Sequence, residues 1–93
     1  MTDVVETKRS FGYLGELKVI HIQTSAACDT GHLIDLNSDV ANARGQVIKT
    51  VLNVVIQDDA GQDEEVTWDP ATGIITMGTL TGAGIHNILI FGR

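Results

Sequence analysis

Gln46-Val47-Ile48-Lys49-Thr50-Val51-Leu52-Asn53-Val54-Val55-Ile56-Gln57 carries the strongest strand signal in the chain. Ile48, Thr50, Leu52, Val54 and Ile56 recur at every second position, and such β-branched and aliphatic groups suit a pleated, half-buried surface. That face is expected to look into the core. The alternate face, with Val47, Lys49, Val51, Asn53, Val55 and Gln57, is half polar and is expected to look outward.

Downstream, Asp58-Asp59-Ala60-Gly61-Gln62-Asp63 reads as a hairpin loop, because glycine permits the positive φ that a reversal needs. Residues 64–68 are then the returning strand. Asp69-Pro70-Ala71-Thr72-Gly73 sets proline at the start of a second turn and glycine at its exit, so residues 74–77 form a second hairpin with 64–68. A glycine-rich loop over 78–84 leads to the run 85–91, apolar enough for a central strand.

Upstream, the run 16–24 alternates Leu17, Val19 and His21 with Lys18, Ile20 and Ile22. Both of its faces carry apolar groups, which suits a sandwich or a subunit contact. A short strand is expected at 32–36, and a single helical turn at 38–44 between Ser38 and Gly45. The fold class is therefore all-β, a small antiparallel β-sandwich or barrel of about five to seven strands. Residues 1–15 are polar and glycine-bounded at their end, and are expected to be an N-terminal arm on a single β domain spanning 16–93.

A chain of 93 residues buries only roughly 60 to 65% of its unfolded surface, so a small core must be helped by tight packing or by partner subunits. The lone Cys28 excludes an internal disulfide. A net charge of −6 has the wrong sign for nucleic acid or an anionic membrane surface. There is no apolar run of spanning length and no cationic leader at Met1-Thr2-Asp3, so a protein made in a cytoplasm is expected.

Few residues suggest chemistry. Asp29-Thr30-Gly31 matches the D-T-G turn of aspartic proteases, and the Ile88–Arg93 ending also resembles retroviral-type enzymes of that class, whose paired carboxylates share a proton. Thr24-Ser25-Ala26-Ala27-Cys28 stands where a bulky apolar strand end is needed, and His32 follows where a small residue belongs, so Asp29 is assigned to a turn. Asp58, Asp59, Asp63, Glu64, Glu65 and Asp69 cluster on loops without the EF-hand spacing, as solvated acids do. His21, His32 and His86 lack metal-ligand spacing, the 78–84 loop lacks a P-loop ending, and Cys28 has no cationic neighbour. No catalytic residue, cofactor or metal is expected. Trp68 reads as a core anchor beside its turn.

The phrases L-K-V-I-H-I-Q-T-S, D-T-G-H-L-I-D-L, V-I-K-T-V-L-N-V-V-I, V-T-W-D-P-A-T-G-I-I-T-M-G-T and H-N-I-L-I-F-G-R, in that order over residues 15–93, resemble small structural proteins of tailed bacteriophages. They are similar to head decoration, or cement, proteins. The resemblance implies a non-enzymatic role on the outer capsid surface of the virion, with the major capsid protein as partner and a homo-oligomer as a further association. Lys8 and Arg9, the one adjacent basic pair, and Tyr13 are the candidate partner contacts. The competing binding role is a tail or fibre adhesin or a carbohydrate-binding module. That role needs clustered aromatics, and the chain has one Trp, one Tyr and two Phe.

Overall fold

β7 (His86–Gly92) organises the molecule, because it alternates buried and half-buried side chains along its whole length and pairs on both edges. The structure, a computed structural model, describes residues 3–36 and 48–93. Its strands are β1 (Glu6–Leu14), β2 (Leu17–Thr24), β3 (Leu33–Asp35), β4 (Val51–Asp58), β5 (Val66–Trp68), β6 (Ile74–Met77) and β7. They form a four-stranded sheet ordered β1-β2-β7-β4 and a three-stranded sheet ordered β3-β6-β5, both antiparallel. The fold is all-β and sandwich-like, and it is not a closed barrel. Among the described residues no helix is long and apolar enough to cross a membrane.

Two cross-strand rows drive the packing. Ile20, Ile90 and Val54 stand opposite one another across β2, β7 and β4, and Ile22, Ile88 and Ile56 form the next row. All six are buried and meet Ile34, Ile75 and Met77 from the smaller sheet. Each fully buried aliphatic side chain contributes about 1.5–3 kcal/mol. The expected central position of the last strand agrees with this arrangement.

β4 departs from the expected alternation. Val51 faces Gly92 while Asn53 faces Phe91, so Leu52 is an extra residue and a bulge shifts the register. The shift turns Val51 inward and Leu52 outward. Ile48, Val51, Val54 and Ile56 are buried, whereas Leu52 is 42% exposed and Thr50 is exposed too. The expected inward face holds at Ile48, Val54 and Ile56 and is corrected at Thr50 and Leu52, with Val51 turned inward instead. The beginning of that run at 46–47 and the helical turn at 38–44 lie outside the described residues.

Of the two expected hairpins, the first is altered and the second forms. After β4 the chain does reverse, with Asp58 N–H donating to the Gln62 carbonyl at 2.9 Å and Glu64 N–H to the Ile56 carbonyl at 2.9 Å. β5 then leaves for the other sheet, where, among the described strands, it pairs with β6. Changing sheets at this corner lets Val66 and Trp68 pack against the core. The β5–β6 hairpin forms as expected. Asp69 N–H donates to the Ile74 carbonyl at 3.0 Å, and Gly73 closes the turn at φ +72°.

Residues 1–15 are not a detached arm over their described length. β1 pairs with β2 from Glu6 to Leu14, and the connecting Gly15-Glu16 turn has its positive φ on Gly15 alone, as a type II′ reversal requires. Val4 is buried, and its N–H donates to the Leu33 carbonyl at 2.8 Å in the smaller sheet. The neighbouring Val5 carbonyl accepts from Ser25 N–H at 2.8 Å, beside the end of β2. The segment therefore ties the two sheets together. Its polar composition is that of an exposed edge strand, which period-two reading does not distinguish from an arm.

Candidate interaction surface

Directly paired residues on antiparallel strands share a face. On the four-stranded sheet, Ser10, His21, Leu89 and Val55 make one outward row, and Gly12, Val19, Phe91 and Asn53 make the next. A third row holds Lys8, Gln23, Asn87 and Gln57. The other described strands pack on the opposite side of this sheet. Two shallow depressions mark the outer face, one lined by Val19, His21, Leu89 and Phe91 together with β1, the other by His21, Val55, Gln57, Asn87 and Leu89.

The centre of this face is aliphatic and aromatic, and amides flank it. His21 Nε2 lies 3.1 Å from Asn87 Oδ1, which orients the imidazole across the strands. None of these outward positions is Asp or Glu, although the chain has twelve acidic residues. The outward rows of the larger sheet are thus free of carboxylates, and Glu6, the first residue of β1, is paired with Arg9 on the other side of that strand. Period-two reading had shown apolar groups on both faces of β2. The contribution of Val55, Leu89 and Phe91 emerges only once β4 and β7 are known to flank one another.

The candidate contacts are dispersed by this geometry. Lys8 is exposed on the outer face, while Arg9 points to the opposite side of β1. Arg9 Nε and Nη2 donate to Glu6 Oε1 and Oε2, each at 2.6 Å, a bidentate pairing three residues apart. Lys8 and Arg9 are therefore not one basic patch, and Arg9 already meets a carboxylate of its own strand. Tyr13 is 71% exposed and packs edge to face on Phe11 with 5.2 Å between ring centres. Trp68 lies on the other sheet, so it and Tyr13 do not form one aromatic platform.

The residues considered for chemistry hold turns. Asp29 Oδ1 accepts from Thr30 N–H at 2.8 Å, Asp29 N–H donates to His32 Nδ1 at 3.3 Å, and Thr30 Oγ1 accepts from Leu80 N–H at 3.0 Å. Asp58 Oδ1 accepts from Ala60 and Gln62 N–H, and Glu64 Oε2 accepts from Thr81 N–H at 3.1 Å. Asp69 Oδ1 accepts from Thr72 and Ala71 N–H, which hold its carboxyl below the usual range against a smaller opposing effect of burial. Asp29, Asp58 and Asp69 are each committed to their own loop, and Glu64 ties the end of its loop to Thr81 in the glycine-rich one.

His86 is buried, with Nδ1 2.8 Å from the Gly84 carbonyl. The carbonyl can only accept, so that nitrogen carries the proton. Cys28 is buried as well, and desolvation pushes its thiol up, with Asp29 adding to the rise and a bond to Thr24 opposing it. Such a thiol is a poor nucleophile. Among the described residues no three His, Cys, Asp or Glu side chains are grouped so as to hold a metal ion.

No protein-family model, no curated protein and no solved structure matches the chain.

Proposed function

We propose that this protein is a non-enzymatic structural module that binds the outer surface of a phage capsid as a decoration protein, seating the outer face of its four-stranded sheet on the major capsid protein. The observation that carries the reading is the segregation of charge. An acidic chain presents a sheet face centred on Val19, Val55, Leu89 and Phe91, with no carboxylate among its strand positions. Such a face is suited to a protein partner, because removing its apolar centre from water is favourable and its flanking amides can form hydrogen bonds at the rim. Repetition of the contact over a symmetric shell allows each single contact to be weak.

The test is electron microscopy of purified particles, combined with co-sedimentation of the protein and heads that lack it. Wild-type protein is expected at regular positions on the shell. Leu89→Lys, which alters only the outer face, is expected to stay folded and lose occupancy. Absence of the protein from heads, or full occupancy by a folded Leu89→Lys variant, would refute the assignment.

A further inference from the structure

β1 is an edge strand, and among the described elements it contacts β2 alone. The two-residue turn makes Leu14 and Leu17 a hydrogen-bonded pair, so Gly12 and Ser10, two and four residues back, also bond toward β2. The backbone groups of Phe11 and Tyr13 consequently face away from the sheet. Natural edges are usually blunted by charge, proline or bulges. Here the bulge lies between Glu6 and Lys8, and the stretch Ser10-Phe11-Gly12-Tyr13-Leu14 has neither charge nor proline. Tyr13 and Leu14 are both largely exposed.

We infer that β1 pairs edge to edge and antiparallel with β1 of a second copy of this chain, about a two-fold axis at Gly12. This inference concerns a different surface from the outer face and stands apart from the capsid reading. Its basis is self-complementarity. Centring the axis on Gly12 sets each Phe11 against Tyr13 of the second copy, joins their outward backbone groups, and brings each Lys8 to Glu16 of the second copy at the hairpin tip. Aromatic pairs and opposite charges directly across strands are both stabilising. At the axis itself the two glycines offer no side chain to obstruct the approach.

Neighbouring registers are poorer. Moving the axis to Phe11 sets Glu6 against Glu16, a like-charge pair. Moving it to Ser10 runs the pairing into the bulge at Glu6 and Lys8. Registers displaced by an odd sum would oppose outward-bonding residues with inward-bonding ones and make no ladder. The paired stretch is short, so the dimer is a weak one that forms with concentration.

Gly12 supplies a direct test, because its φ is not positive and an added Cβ there meets nothing within 4 Å. In an antiparallel pair that does not exchange hydrogen bonds, the two facing Cα atoms lie about 4.5 Å apart, within disulfide range. Gly12→Cys is expected to oxidise to a linked dimer that reductant reverses. Ser10→Cys, whose partner in this register is Leu14, is expected to form no covalently linked dimer under the same conditions, and buried Cys28 is common to both. In sedimentation equilibrium the wild-type mass should rise from one copy toward two with concentration. Lys8→Glu or Glu16→Lys should each lose that rise, and the double exchange should restore it. A wild type that stays monomeric throughout, equal oxidation of Gly12→Cys and Ser10→Cys, or no restoration in the double exchange would overturn the inference.

Discussion

Ile48 fills the space that a side chain at Gly92 would need: a Cβ built on Gly92 would overlap the Ile48 side chain and press on the Thr50 carbonyl. Around this contact Lys49 N–H donates to the Arg93 carbonyl at 2.7 Å, and Arg93 N–H to the Thr50 carbonyl at 3.1 Å. The end of β7 is thereby closed against the approach to β4. Gly92→Ala should force backbone shifts there and destabilise by about 1–3 kcal/mol, as over-packing does elsewhere. Urea denaturation would measure it, and an unchanged midpoint would mean that the two segments separate easily.

The bulge at Leu52 makes a sharper prediction. Ile56→Ala should cost about 2–5 kcal/mol, since it empties a fully buried position between the sheets. Leu52→Ala should stay within about 0.5 kcal/mol, because that side chain already faces solvent. Comparable losses for both variants would show that β4 follows the unbroken alternation and lacks the bulge.

Those two positions also show how far the sequence could be read. Strand existence was legible at β2, β4 and β7, where β-branched residues recur at period two, and the Asp69 to Gly73 turn was legible from its proline and glycine. The inward set on β4 was not, because a bulge is decided by pairing with Gly92 and Phe91, and local alternation contains no record of that register. β1 was missed for a related reason. Its side chains are mostly exposed on both faces, so it lacks the apolar period that marks other strands. For the interaction surface, Lys8, Arg9 and Tyr13 were visible as residue types. That Arg9 is paired with Glu6, and that Val55, Leu89 and Phe91 share a face with His21, depends on contacts between strands distant in sequence.

Val4 gives a test of the N-terminal segment. It is buried, and the hydrogen bonds on either side of it reach Leu33 in one sheet and Ser25 beside the other. Val4→Ala should destabilise by about 2 kcal/mol. Deleting residues 1–5 should lower the denaturation midpoint further, since it also removes both hydrogen bonds. Were the deletion to leave the midpoint unchanged, residues 3–5 would be dispensable to the fold.

Asp69 sets a pH dependence. Its carboxyl is held below the usual range by Thr72 and Ala71 N–H, so the charged form is favoured by folding. The stabilisation is fully present above the unfolded carboxylate value of about 3.9 and is lost as pH falls through the lower folded value. The difference in thermal midpoint between wild type and Asp69→Ala should accordingly be largest near neutrality and narrow in acid. A difference that is constant across that range would place the role of Asp69 outside its charge.

The position of β7 between β2 and β4 has a consequence for the order of events at the ribosome. While the chain is being made, β2 emerges early and β4 midway, yet neither can find its central neighbour until residues 86–92 have left the exit tunnel. Translation at about 5–20 residues per second leaves Ile20, Ile22 and Ile56 uncovered for seconds. The larger sheet is therefore closed after translation of its last-made strand rather than built in step with synthesis. A nascent chain stalled before residue 86 has the residues of β1, β2 and β4 but lacks the strand whose pairing joins β2 to β4.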